Sequence, residues 1–141
     1  CAEILLNYAE AMVYAYGDPD YTGSDSLSAR DAVNQVRNRG DVKMPAYPTD
    51  MKKDAFLKRL RNERRVEFAF EGQRFWDLRR WKELDNMQNI YKVKVVKQTD
   101  GTIQYTKVLH ATYNIQDKMY FYPISNTELF KNHKLVQNTG W

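Results

Sequence analysis

Apolar side chains recur at helical spacing in two stretches near the start of the chain. The first stretch predicts a helix over residues 2 to 16, and its apolar face carries Leu5, Ala9, Met12 and Tyr16. Gly17-Asp18-Pro19 follows and is typical of a helix end.

The second stretch predicts a helix that has Ser28 as its N-cap and Gly40 at its C′ position. It turns three apolar side chains inward: Ala32, Val33 and Val36. The two helices would form an antiparallel helical hairpin, which is the repeating unit of tetratricopeptide-like arrays.

The pattern changes further along the chain. Residues 51 to 83 predict one long helix, after a loop that contains Pro45 and Pro48. Residues 91 to 98 and 102 to 109 then alternate with a period of two and are joined by an Asp-Gly turn, which predicts a β-hairpin. A capping box over Ser125 to Glu128 predicts a short helix, and no regular pattern follows it. The expected fold class is mainly α, with a tetratricopeptide-like helical hairpin, a long helix, a small β-hairpin and an irregular C-terminal tail.

The long predicted helix carries charged residues on its apolar side. Four of them share that side on a helical wheel: Arg64, Glu67, Glu71 and Arg74. Because an unpaired buried charge is strongly unfavourable, we expect the four to form a structural ion-pair network that is largely buried. A catalytic pair of Glu67 and Glu71 is the alternative, but the two arginines would lower both pKa values, which suits a salt bridge better than a general acid. Gly72 is a position at which this helix can bend.

The composition is that of a folded chain. Of its 141 residues, 43% are apolar and 13% aromatic, which is enough for one domain with a core. No apolar stretch reaches the roughly 18 residues of a membrane-spanning helix. The net charge is +4, but basic and acidic residues are interleaved rather than gathered into the basic surface that nucleic acids require, so we expect no nucleic-acid partner.

The sequence lacks the motifs of the common enzyme and metal sites. It contains no His-Glu-x-x-His, no Gly-rich phosphate loop, no Cys-x-x-Cys and no nucleophile elbow. His110 and His133 are isolated. We therefore expect no enzymatic activity, no metal site and no cofactor. Cys1, the single cysteine, stands one helical period before Leu5, so we expect a small buried residue rather than a lipid-bearing one.

Three stretches, in order along the chain, carry a resemblance to a known family. They are residues 2–11, residues 63–81, and the closing residues 120–129 with 132–141. The second stretch reads Glu-Arg-Arg-x-Glu-Phe-x-Phe-Glu-Gly-Gln-Arg-Phe-x-Asp-Leu-x-Arg-Trp. Together they resemble the C-terminal part of the SusD/RagB family, the surface nutrient-binding lipoproteins of Bacteroidetes. The chain departs from the family at Ser125 and Thr139, where the family usually has proline.

The resemblance implies a mostly helical fold and a non-enzymatic function. That function is capture of a glycan or other nutrient at the bacterial cell surface and its delivery to a SusC-type TonB-dependent transporter. The protein would be held at the outer membrane by a lipid anchor outside this chain. Residues 1 to 141 would be a single domain, the natural C-terminal portion of a protein several times longer. The resemblance assigns no ligand-binding residue.

A second hypothesis comes from a different functional class. The chain could be a helical scaffold or protein-interaction module without glycan binding, in which a partner binds in a groove of the helical hairpin. Most aromatic residues lie at core spacing, so we expect the chain to have little glycan affinity of its own. The remaining candidates for a sugar contact are Trp76, Trp81 and Tyr120 to Tyr122, and we expect these to be core residues as well.

Overall fold

A computed structural model describes residues 1–24, 26–40 and 42–141. Within these residues, helices and one sheet follow in this order: α1 (Ala2–Tyr16), α2 (Ala29–Arg37), α3 (Lys53–Glu67), α4 (Gln73–Arg80), a 3-10 helix (Leu84–Met87), β1 (Asn89–Lys97), β2 (Ile103–Thr112), a second 3-10 helix (Asp117–Tyr120) and α5 (Asn126–Lys131). The predicted mainly helical fold with a small β-hairpin is confirmed. The chain packs as two compact units, an N-terminal unit, Cys1–Arg74, and a C-terminal unit, Phe75–Trp141. The expectation of a single domain stays a prediction.

In the N-terminal unit, α1 packs against both α2 and α3. Their shared core is a cluster of buried apolar side chains: Leu6, Ala9, Val13, Ala29, Ala32, Val33, Val36, Tyr47, Phe56, Leu57, Leu60 and Phe68. The inward face predicted for α2 is therefore confirmed. The face predicted for α1 is displaced, because Leu6, Ala9 and Val13 point to the core, whereas Tyr16 is exposed and stacks on Tyr21 with ring centroids 4.1 Å apart. Cys1 is exposed, so the expectation that it is buried is wrong.

The ends of α1 and α2 follow local rules. Gly17 adopts a left-handed conformation with φ of 76° and its N–H donates to the carbonyl of Val13, as expected for the end of α1. Ser28 is the N-cap of α2, where its hydroxyl accepts from the backbone N–H of Asp31 at 3.0 Å. The helix ends at Arg37, earlier than predicted, and the Arg37 carbonyl, which has no partner within the helix, accepts from the N–H of Met44 in the loop that follows. Gly40 is therefore not the C′ residue of α2.

The long helix predicted over residues 51 to 83 is two helices. α3 ends at Glu67 and α4 begins at Gln73. Within the intervening turn, Phe70 has φ of 67° and Gly72 has φ of 77°. A right-handed helix cannot continue through left-handed residues, so the turn separates the two helical phases.

The C-terminal unit contains the sheet and an irregular tail. β1 and β2 pair antiparallel with Lys97 opposite Ile103, which confirms the predicted hairpin. In its turn, the Asp100 carboxylate accepts from the N–H and the hydroxyl of Thr102, and Gly101 has φ of 87°. Ser125 caps α5 as predicted, and its hydroxyl accepts from the N–H of Glu128.

Side chains of the tail bind the backbone of an earlier segment, residues 118 to 124. The Gln137 amide accepts from the N–H of Ile124 at 2.8 Å and donates to its carbonyl at 2.9 Å. The Trp141 indole N–H lies 3.0 Å from the carbonyl of Lys118. Gly140 has φ of 90°, and a Cβ there would lie 3.0 Å from the Cβ of Lys118. The two closing stretches of the family-like pattern therefore bind each other.

Candidate functional site

The four residues of the predicted ion-pair network lie in different environments. Arg64 is only 3% exposed, and its Nη1 donates to Oδ1 of Asn7 at 2.5 Å. Glu67 forms an ion pair with Arg39. Glu71 lies in the turn between α3 and α4 and is exposed, which contradicts its expected burial, whereas Arg74 is half-buried. Pairing of the four with one another stays a prediction.

Two buried arginines on α2 make ionic contacts that the sequence reasoning missed. Arg30 Nε lies 2.5 Å from Oδ1 of Asp20, and Arg30 Nη2 donates to the carbonyl of Met51 at 2.9 Å. The hydrogen bond from Arg30 holds the pKa of Asp20 below its usual value. The spacing of Arg30 and Arg37, seven residues apart on the face that carries Val33, was the signal that could have revealed them.

Arg37 anchors a second buried group. Its Nε donates to the carbonyl of Pro45 at 2.7 Å, and its Nη1 lies 2.5 Å from Oε2 of Glu63. The hydroxyl of Tyr47 donates to the same carboxylate oxygen at 3.3 Å. Burial, followed by the nearby Glu63 carboxylate, raises the pKa of Tyr47. Because these groups are partners of one another and of loop carbonyls, we interpret them as structural.

A polar cleft of about 840 Å³ lies along α2 in the N-terminal unit. Its lining includes Asp31, Asn34, Gln35 and Asn38, which offer carboxylate and amide groups for hydrogen bonding. Asn34 already accepts from the backbone N–H of Tyr47 at 2.8 Å. No aromatic side chain lines the cleft among the described residues, so it lacks a flat surface on which a sugar ring could stack.

Three aromatic side chains of the C-terminal unit form what we call the aromatic surface: Phe75, Trp76 and Tyr122. The ring centroids of Trp76 and Tyr122 are 6.0 Å apart, and Phe75 meets Trp76 edge to face at 5.1 Å. Trp76 is 57% exposed and Tyr122 is 55% exposed, so the expectation that they are core residues is wrong. The reason is the turn before α4, since α4 starts a new helical phase in which Asp77 and Leu78 are the buried residues.

The other aromatic residues that we considered as sugar contacts differ in how far they are exposed. Trp81 and Tyr120 are half-buried, and the hydroxyl of Tyr120 accepts from the N–H of Leu84 at 3.3 Å. Phe121 is exposed, contrary to expectation. The aromatic surface is therefore the arrangement in the C-terminal unit that best presents ring faces to a ligand.

The described residues were also considered as metal ligands and as membrane-spanning helices. Among residues 1–24, 26–40 and 42–141, no group of three or more His, Cys, Asp or Glu side chains is placed to hold a metal ion. Nor does any helix in these ranges have the length and apolar character needed to cross a membrane.

A model of the SusD family matches residues 1–141 of the chain. Among solved structures, a SusD-like protein from Bacteroides fragilis NCTC 9343 matches with a TM-score of 0.79 and 33% sequence identity, over 99% of this chain and 24% of that protein's chain. The present chain thus spans about a quarter of that protein's length. No curated protein matches it in sequence.

Proposed function

The chain belongs to the SusD family, and from this membership we propose that the intact protein captures a glycan or other nutrient at the bacterial cell surface. The family has a nutrient-binding role, and SusD-like proteins are binding proteins rather than enzymes. The family match over all 141 residues is the observation that carries the proposal. We further propose that a lipid anchor outside this chain holds the protein at the outer membrane.

The aromatic surface supports a more specific proposal about the glycan contact. Binding sites combine apolar and aromatic faces with a few polar groups that orient the ligand. The side chains of Trp76 and Tyr122 are exposed, and the Asn138 amide donates to the backbone carbonyl of Tyr122 at 2.6 Å. In our proposal, a sugar ring packs on Trp76 and Tyr122.

Calorimetric titration of the intact protein with a panel of soluble oligosaccharides tests this proposal. We expect Trp76→Ala and Tyr122→Ala each to weaken binding of the preferred glycan at least tenfold, which is about 1.4 kcal/mol. Phe130→Ala is the matched control, because Phe130 is an exposed aromatic residue outside the aromatic surface. Binding that survives both substitutions would leave this chain the role of a scaffold. If no glycan in the panel binds, the proposal of glycan capture is wrong.

A second experiment addresses the partner. We propose that the ligand passes to a SusC-type TonB-dependent transporter. Expressed together with a SusC-type transporter from the same genome, the tagged intact protein is expected to recover that transporter from detergent-solubilised outer membranes. An unrelated TonB-dependent transporter expressed at the same level is the control. Equal recovery of both transporters would contradict a specific partnership.

We also propose that Arg64, Glu67, Glu71 and Arg74 act in packing rather than in catalysis. Loss of a fully buried member leaves its partner charge unpaired, which costs on the order of 3–5 kcal/mol, whereas an exposed member costs under about 0.5 kcal/mol. Denaturant unfolding of Glu67→Ala, Glu71→Ala and Arg74→Ala measures where each lies in this range. Because Glu71 is exposed, its loss is expected at the lower end.

A further inference from the structure

A concave site in the C-terminal unit borders the aromatic surface and shares Phe75 with it. It is a cavity of about 250 Å³ next to β2 and α4. Its walls include four apolar side chains, Leu84, Met87, Ile115 and Met119, and its polar side chains include Arg79 and Asn114. A volume of this size equals about eight water molecules at roughly 30 Å³ each, so it suits a ligand of about ten non-hydrogen atoms.

Arg79 places a positively charged guanidinium group at this cavity, next to two aromatic rings. The carbon of its guanidinium lies 3.5 Å from the centroid of the Phe75 ring and 5.3 Å from that of Tyr122. Within the described part of the chain, its Nη1 makes only a long hydrogen bond, 3.5 Å, to the carbonyl of Phe75. Its Nε is buried and has no acceptor among the described residues.

The neighbouring arginine shows what Arg79 lacks. Arg80 Nη2 lies 2.8 Å from Oδ1 of Asp77. Arg79 has no comparable carboxylate partner in the part of the chain that the structure describes. A half-buried cation without a counter-ion is unfavourable, and a ligand carboxylate would relieve it by accepting hydrogen bonds from the guanidinium.

We propose that this cavity binds a small carboxylate with an apolar body, and that Arg79 is its anion-binding residue. The apolar walls hold the body of the ligand, which accounts for their lack of polar groups. A sugar fits less well, since its hydroxyls would lose water without gaining enough partners on these walls. This inference goes beyond the proposed glycan contact, because the ligand is a carboxylate held at Arg79 and not a sugar ring packed on Trp76 and Tyr122.

The test is calorimetric titration of the intact protein with phenylacetate, which has about ten non-hydrogen atoms. We expect a Kd below about 1 mM, a value within reach of a ligand of this size. The neutral isostere 2-phenylethanol and the sugar acid glucuronate are each expected to bind at least tenfold more weakly. These two controls separate the contribution of charge from that of the apolar body.

Three variants locate the site. Arg79→Met is expected to weaken phenylacetate binding at least tenfold. Lys94→Met removes an exposed cation elsewhere in the same unit and is expected to change nothing. Met87→Phe fills the cavity but leaves Arg79 in place, and it is also expected to abolish binding, which decides the matter if Arg79→Met does not fold.

Three results would overturn the inference. They are equal affinity for phenylacetate and 2-phenylethanol, tighter binding of glucuronate than of phenylacetate, and unchanged phenylacetate binding in folded Arg79→Met or Met87→Phe. The probe is not a glycan, so failure of glycan binding leaves this test unaffected.

Discussion

The two units of the chain are stabilised in different ways. In the N-terminal unit, helices α1 to α3 share a continuous cluster of buried apolar side chains, and the buried guanidinium groups of Arg30 and Arg37 bind loop carbonyls around it. In the described residues of the C-terminal unit, only Asp77, Leu78 and Leu84 are buried. There, side chains such as those of Gln137 and Trp141 bind backbone groups across an irregular segment. A segment with little apolar burial thus acquires a defined path through hydrogen bonds from side chains to backbone.

The comparison extends to charge. The Arg37–Glu63 pair of the N-terminal unit is largely removed from solvent, whereas the Lys131–Glu128 pair of the C-terminal unit is exposed at both ends. Exposed pairs gain little because water and salt screen them. We therefore expect substitutions of the same type to have large effects in the first unit and small effects in the second.

The largest expected effect is that of Phe56→Ala. Phe56 is fully buried and meets Tyr47 edge to face, with ring centroids 5.5 Å apart. Removing it leaves a cavity and should lower the free energy of unfolding by about 3–5 kcal/mol. Urea unfolding measures this loss. The control Phe130→Ala, at a site 77% exposed, should change it by less than about 0.5 kcal/mol. Equal losses would remove the distinction between the units.

Arg37→Met should be next, at about 3 kcal/mol. The substitution leaves the Glu63 carboxylate in a largely buried site without its cation. Lys131→Met removes one member of the exposed pair and should cost under about 0.5 kcal/mol. Guanidinium unfolding of both variants in the same buffer provides the measurement. A loss below about 1 kcal/mol for Arg37→Met would contradict the view that the Glu63 carboxylate becomes unfavourable once its buried cation is removed.

Gln137→Ala probes the hydrogen bonds that hold the tail. It removes two bonds to the backbone of Ile124, each worth about 0.5–1.5 kcal/mol, so the expected loss is about 1–3 kcal/mol. Hydrogen exchange at the amide of Ile124 reports the local effect and should become faster. The exposed Gln116→Ala is the control. Unchanged exchange at Ile124 would mean that the tail is held by other contacts.

The two helix N-caps offer a matched pair across the units. Ser28 is buried and accepts from the N–H of Asp31 at 3.0 Å, while Ser125 is exposed and its bond to the N–H of Glu128 is 3.4 Å long. We expect Ser28→Ala to cost about 1 kcal/mol and Ser125→Ala about 0.5 kcal/mol. Thermal unfolding of both variants gives the comparison. The reverse order would contradict the view that burial strengthens the cap.

The smallest expected effect concerns acid stability. The hydrogen bond from Arg30 lowers the pKa of Asp20 in the folded chain, so the stability it contributes is present above the unfolded value, about pH 3.9, and is lost as the pH falls below it. Asp20→Asn should make the decline of the unfolding midpoint below about pH 4 shallower. Because the Asp20 carboxylate is partly exposed, added salt should reduce the difference. An identical acid decline in both proteins would show that Asp20 is not responsible.

Local features of the fold could be predicted from the sequence because they depend on near neighbours. The bounds of α1, the N-caps Ser28 and Ser125 and the Asp-Gly hairpin each follow from residues a few positions apart. The break between α3 and α4 could not be placed in the same way. It depends on a left-handed Phe70, a residue type that does not predict such a conformation, and Gly72 indicated only that a bend was possible there.

The sequence by itself determined the mainly helical fold, the family, the inward face of α2 and the position of the β-hairpin, since these are encoded in short patterns. The tertiary structure alone decided which distant residues meet. Arg37 pairs with Glu63 across 26 positions, and Trp76 is exposed rather than buried. The physical reason is that such contacts depend on how whole helices pack and where a turn resets their phase, which no local pattern specifies. The aromatic surface and the Arg79 cavity belong to this second group.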